Sequence, residues 1–211
     1  MLHLCEEVIY YQQNENKQSM KFQTKALIQD LTARTQKNLA AAQAWLELPL
    51  EQLQYKPDAN SWSVLECMEH LNLYGDFYLP EIQTQMTNSK HQGFAPVFKS
   101  SWLGNYFAQA LLPKEKLNKM KTFANMDANG STLQKSVLEK FIQQQQEMLL
   151  LLEQAAQVNL TKTTTGITLT KWIKLRLGDT FRVVIYHNDR HRVQAENVLA
   201  HLPTTLENIA H

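Results

Sequence analysis

The sequence predicts an all-α protein, a four-helix bundle with an irregular, short-helix insertion between its second and third long helices. Three observations carry that expectation. Glycine and proline are scarce, 6 of each in 211 residues, too few for the turns of an all-β domain. Four long stretches space their apolar residues with a helical rather than an alternating period. Capping residues and prolines stand where those stretches begin and end.

The first helix is expected over residues 21–46, on a stripe of Leu27, Leu31, Ala42 and Leu46, with Pro49 limiting its end. Pro57, Asp58 and Asn60 then supply turn residues. The second helix starts at Ser63, because Ser63 and Glu66 form a capping box in which hydroxyl and carboxylate each satisfy an amide of the first turn. Val64, Leu65, Met68, Leu71, Leu73, Phe77 and Leu79 cover more than one face, which predicts a largely buried helix. Pro80 should kink or end it. Residues 88–130 form the insertion, punctuated by Pro96, Gly104 and Pro113 and rich in Phe and Trp; a short helix is expected over 101–112, with the insertion covering one end of the bundle. A second capping box, Ser131 with Gln134, opens the third long helix, whose stripe is Val137, Phe141, Met148, Leu152 and Ala155. Its glutamine run at 143–146 reads as a solvated face. Residues 158–176 break the pattern, and Ile167 and Leu169 alternating with threonines predict a short extended piece. The last helix should begin at Asp179 as N-cap and stop before Pro203.

Composition bounds the function. Apolar residues make up 44 % and charged residues 19 %, enough for a real core and too little charge for a disordered chain. The net charge of +1 gives no basic field for nucleic acid or an anionic membrane. Two cysteines, Cys5 and Cys67, make no disulfide framework. No apolar run approaches the roughly 20 residues of a membrane span. Glu6 and Glu7 interrupt the apolar start, which argues against a signal peptide. The expectation is a cytoplasmic protein, with residues 1–19 an extension outside the fold and 20–211 a single domain.

The chemistry concentrates on the last helix. Its core stripe, Val184, 187 or 188, 191, Ala195, Val198 and 202, includes His187 and His191. Histidines at i and i+4 stack on one face, so both imidazoles should point into the bundle. Buried side by side they cannot comfortably both protonate, and a divalent metal resolves the conflict by using the neutral ring nitrogens as ligands. Of the other histidines, His70 lies in the middle of the buried second helix and is the one placed to meet the pair across the core. Three histidines from two helices leave coordination positions open, the pattern of a catalytic site. Against this stands the plainer reading of hydrogen-bonded core or cleft histidines, since H-x-x-x-H alone is a weak motif.

Tyr74, one turn past His70, is either a proton donor in the pocket or a tyrosine at the core edge. Gln194, three residues past His191, is a substrate or ligand-orienting contact or an interior hydrogen bond. Cys67 reads as a small buried hydrophobe rather than a fourth ligand, Trp62 as packing at the helix entry, and Asp189, Arg190 and Arg192 as solvated or dimer-facing charges. No Gly-rich phosphate loop, G-x-S-x-G elbow or H-E-x-x-H motif occurs.

The segment from Trp62-Ser63 to His70-Leu71, followed by Leu177-Gly178-Asp179 and by His187-Asn188-Asp189-Arg190-His191-Arg192-Val193-Gln194, resembles the DinB/YfiT-like superfamily over roughly residues 20–202. The resemblance implies a four-helix bundle, frequently a homodimer, with a divalent metal on three histidines that map onto His70, His187 and His191. It implies a metal-dependent enzyme acting on a small molecule, either a hydrolase or an S-transferase using a low-molecular-weight thiol, with zinc or nickel as the metal. The alternative is a non-catalytic helical module whose histidine site is structural or empty.

Overall fold

The computed structural model describes residues 20–59, 61–113 and 122–207. Its helices are α1 (Thr24–Leu46), α2 (Leu50–Gln54), α3 (Val64–Thr87), α4 (Trp102–Leu111), α5 (Ser136–Ala155), α6 (Leu177–Leu199) and α7 (Thr204–Glu207). The long helices α1, α3, α5 and α6 make the predicted bundle, with α1 and α3 on opposite corners, each packed against both α5 and α6. Two small antiparallel strand pairs are added. Strand β1 (Lys21–Gln23) pairs with β2 (Val97–Lys99), setting Phe22 opposite Phe98, and β3 (Thr164–Ile167) pairs with β4 (Thr170–Arg176) as a hairpin. The expected extension at 1–19 lies outside the described residues.

Apolar side chains form two clusters along the bundle. One gathers Leu27, Leu31, Ile82, Phe98, Met148, Phe181 and Ile185. The other gathers Ala42, Trp45, Leu65, Met68, Leu138, Phe141, Ala195 and Val198. Between them each long helix carries buried polar residues: Thr35 and Asn38 on α1, His70 and Asn72 on α3, Gln144 and Gln145 on α5, and Asn188 to Arg192 on α6. Much of the belt is bonded within itself, as buried polar groups prefer. Arg192 Nε donates to Asn38 Oδ1 at 3.0 Å, Asn188 Nδ2 to Gln145 Oε1 at 3.2 Å and Gln144 Nε2 to the Asn72 carbonyl at 3.1 Å. The histidines belong to this belt.

Several local expectations change. The first three residues of the expected first helix are strand β1, because they pair with the insertion. Pro80 stays inside α3, which runs on to Thr87, and Phe77 is exposed rather than buried. Ser131 and Gln134 do not cap α5: it starts at Ser136 after Lys135, with no side-chain cap. Half of the glutamine run is buried in the belt. The extended piece is a two-stranded hairpin. The insertion, in addition to β2, contributes α4, which lies along α6 and β4 and is capped by Ser101.

Asp179 is not an N-cap either. Helix α6 begins two residues earlier, and Asp179 sits in its first turn, 0 % exposed. There it accepts hydrogen bonds from the Ser101 amide and hydroxyl, both at 2.9 Å, and from the Ser100 hydroxyl, and pairs with Arg182 at 3.3 Å. A carboxylate at a helix N-terminus is favoured by the macrodipole, so one residue ties α4 to α6. Gly178 beside it is required by packing, since a Cβ there would meet the Phe98 ring at 2.6–2.8 Å. Among the described residues no helix is long and apolar enough to cross a membrane.

Candidate metal centre

Helix α3 presents His70 because its start is firmly set. The Glu66 amide donates to the Ser63 hydroxyl at 3.2 Å and the Ser63 amide to Glu66 Oε2 at 2.8 Å, the predicted capping box. His70 follows one turn later, facing α6 across the core. Its Nδ1 lies 2.6 Å from the Met126 carbonyl oxygen. A carbonyl only accepts, so Nδ1 carries the proton and Nε2 keeps its lone pair.

Nε2 of His187 lies 3.2 Å from that of His70 and 3.1 Å from that of His191. One ligand atom from each of the three rings falls within 4.8 Å of the others. A single proton on His187 Nε2 cannot satisfy two facing lone pairs. Tetrahedral ligands at the ordinary zinc–imidazole distance of about 2.0–2.1 Å stand about 3.3 Å apart, close to the spacings here. The electrostatics agree with neutral donors. Burial, then the neighbouring histidines and Arg190, hold His187 and His191 well below the usual imidazole value. Burial also lowers His70, against the opposing pull of the Met126 carbonyl and Asp127. The donor set therefore fits a divalent ion of borderline softness, and zinc and nickel both accept imidazoles.

A family model described as the DinB superfamily matches residues 31–195. The chain belongs to the DinB superfamily. No curated protein and no solved structure matches it.

In this DinB-superfamily chain the cluster opens into a cavity of about 770 Å³ between α3, α4, α6 and the β3–β4 hairpin. Tyr74 lines it, edge-on to His70 and His187 at ring-centroid distances of 5.0 and 4.8 Å. Burial pushes the Tyr74 phenol up to about 12, so at neutral pH it is a hydrogen-bond donor. Gln194 also lines the cavity beside His191, while Nδ1 of His191 is buried without a hydrogen-bond partner among the described residues. Cys67 points into an apolar cluster, where burial raises its thiol, and it is outside the ligand group.

Two readings of neighbouring residues are corrected. Trp62 does more than pack at the helix entry: its ring stacks on His191 at 5.6 Å, tilts over His70 at 4.8 Å and lines the cavity. Asp189, Arg190 and Arg192 are all buried, not solvated. Asp189 meets Arg34 of α1 at 2.6 Å and Arg192 meets Asn38, whereas Arg190 lines the cavity. A sequence signal for Arg190 existed, because 187, 190, 191 and 194 follow the i, i+3, i+4, i+7 spacing of one face. Asp127, next to His70 in the insertion, had no such signal.

Proposed function

We propose that this protein is an enzyme whose working centre is a divalent metal ion, zinc or nickel, held by His70, His187 and His191. The observation that supports it is the convergence of three neutral imidazole nitrogens, 3.1–3.2 Å apart along the cluster, on the wall of a cavity large enough for a small-molecule substrate. A purely structural site uses four protein ligands; three ligands facing a cavity leave positions for a reactant. When bound, the ion supplies Lewis-acid activation of a nucleophile, water for a hydrolase or a low-molecular-weight thiol for an S-transferase.

The chain's own groups prepare that chemistry. The Met126 carbonyl holds His70 in the tautomer that aims a lone pair inward. Trp62 and Tyr74 pack the rings and keep bulk water from them, and the Tyr74 phenol offers a proton within the cavity. Asp127 places a carboxylate on the cavity wall beside His70 that can accept one. The resemblance to the family also supports a homodimer as the working unit; sedimentation of a monomer at micromolar concentration would remove that part.

Protein purified without a histidine tag should carry close to one equivalent of zinc or nickel by elemental analysis. His70→Ala, His187→Ala and His191→Ala should each weaken metal affinity by about a hundredfold or more. Loaded protein is then assayed with an ester and amide panel, and with a thiol plus an aryl halide. Turnover that survives chelation, or wild-type metal affinity in all three variants, overturns the reading. Stoichiometric metal without turnover in either panel would favour the structural alternative.

A further inference from the structure

We propose that the cavity takes a substrate with an uncharged apolar tail, its reactive head at the histidines and its tail running between α3 and α6 toward the β3–β4 hairpin, and that Val183 sets how long that tail can be. This inference rests on the cavity being the substrate site of the enzyme proposed above and names the class of molecule it takes.

The wall changes polarity along its length. Helix α3 lines it at His70, Tyr74 and Tyr78, one residue per turn, so the lined face spans about 12 Å of helix. Helix α6 lines it in the opposite sense, from Gln194 back through His191 and His187 to Val183. His70 meets His187 and His191, whereas Tyr78, two turns later, meets Thr168 in the turn of the hairpin that leads into α6. Among the described lining residues the two charged at neutral pH are Asp127 and Arg190. Both stand at the histidine end: Asp127 follows the residue whose carbonyl meets His70, and Arg190 lies between His187 and His191.

Beyond His187 the described lining carries no charge. Val183 and Val184 come from α6, and Ile167 and Leu175 from the hairpin. Helix α4, held level with this stretch by the bond from Arg182 to Asn105 at 2.9 Å, adds Phe107. Tyr78 and Thr168 bond to each other, the Thr168 amide donating to the phenol oxygen at 3.4 Å. The hairpin wall is itself tied down, by the Thr165 and Thr180 hydroxyls 2.6 Å apart and by the Gly166 amide, which donates to Glu81 at 2.6 Å. A charged tail would meet no described partner of opposite charge in this half, and burying it would be costly. An apolar tail loses only unfavourable contact with water. Val183 governs its reach because it is half-buried one turn before His187 on the same face, between the histidines and the hairpin. A larger side chain there closes the way to the hairpin.

The test titrates butanol, hexanol and octanol calorimetrically into the full chain as purified, and again after chelation. Affinity should rise about three- to fourfold per added methylene in both forms, with one molecule bound per chain. Val183→Phe should leave butanol nearly unchanged and flatten the rise beyond it. Leu169→Ser alters a lining residue of the hairpin turn that is already 43 % exposed; it should weaken octanol selectively, and it decides the matter if Val183→Phe does not fold. A flat series in the wild type overturns the proposal, as does octanol affinity unaltered by every variant that folds. On zinc-loaded protein, ethanethiol and hexanethiol, whose sulfur takes the ion, should differ by the same factor per methylene; equal binding puts the tail elsewhere and overturns the proposal. A rise with chain length in a protein that binds no metal removes the metal centre and leaves the tail site, whereas a flat series on metal-loaded protein does the reverse.

Discussion

Glu66 shows how one side chain sets the register of a site one turn away. Its carboxylate accepts from the Ser63 amide at 2.8 Å and the Gly130 amide at 2.7 Å, and pairs with Lys56 at 3.1 Å. It thus caps α3 and pins the loop that carries Met126, the partner of His70. Burial by itself would raise the Glu66 pKa, but the two amides and the Lys56 ammonium outweigh it and hold the group below the ordinary carboxylate value of 4.5. A depressed folded-state pKa means that the unfolded chain takes up the proton first. The stabilisation is therefore complete above about pH 4.5 and is lost as pH falls through the lower folded value. Glu66→Ala should cost about 1–3 kcal/mol at pH 7 in urea unfolding, and the gap to wild type should narrow below pH 4. A gap that stayed constant with pH would remove the carboxylate from this role. The polar partners of Glu66 were half legible: S-x-x-E announced Ser63, but nothing announced Gly130, which is 64 residues away.

Among the elements, α3 carries an internal conflict. Pro80 has no amide to donate, so the Asp76 carbonyl four residues earlier lacks its helical partner, yet the helix continues to Thr87. Packing against α5 and α6 keeps the second half helical. Pro80 is exposed, so substitution leaves the core intact. Pro80→Ala should raise stability by about 1 kcal/mol or more, read as a higher urea midpoint with an unchanged slope; a loss of stability would mean that the proline is needed for the shape of the helix. The periodic pattern covered α3 only as far as Leu79; the proline rule allowed a kink or an end at Pro80, and tertiary packing, which that rule does not weigh, rules out the end. Strand β1 illustrates the same limit. Three residues ahead of a strong helix gave no strand signal, and they became one only because β2 lies alongside.

The molecule as a whole is held at the cavity by a buried charge network. Asp179 and Arg182 are 0 % and 1 % exposed, and Arg182 also donates to Ser100 and Asn105 and lies over the Phe22 ring at 4.6 Å. Through Ser101, the N-cap of α4, the network fixes the helix that brings Tyr106 and Phe107 to the cavity. Asp179→Ala leaves a buried guanidinium without its carboxylate, and should cost about 3–5 kcal/mol. Amide hydrogen exchange in α4 should accelerate with it, more than in α5. Equal protection of α4 in the variant would show that apolar packing alone positions this wall. At the opposite extreme Trp172, on the β3–β4 hairpin, is 94 % exposed, whereas Thr165, Ile167 and Leu175 are buried and the Gly166 amide donates to Glu81 of α3 at 2.6 Å.

Local rules were enough to read the four long helices, the Ser63 cap, and the shared face of His187 and His191, because a helix repeats its environment every three to four residues and writes that repeat into the chain. They also marked His70 as the imidazole able to meet that pair. The folded arrangement was needed to bring the three Nε2 atoms together, to bury Asp189 and Arg192 against Arg34 and Asn38 of α1, and to turn Trp62 and Arg190 toward the cavity. A charged residue carries no mark of its own burial. Whether it is solvated or enclosed depends on what a helix more than a hundred residues away places opposite it, and that is a property of packing, not of periodicity.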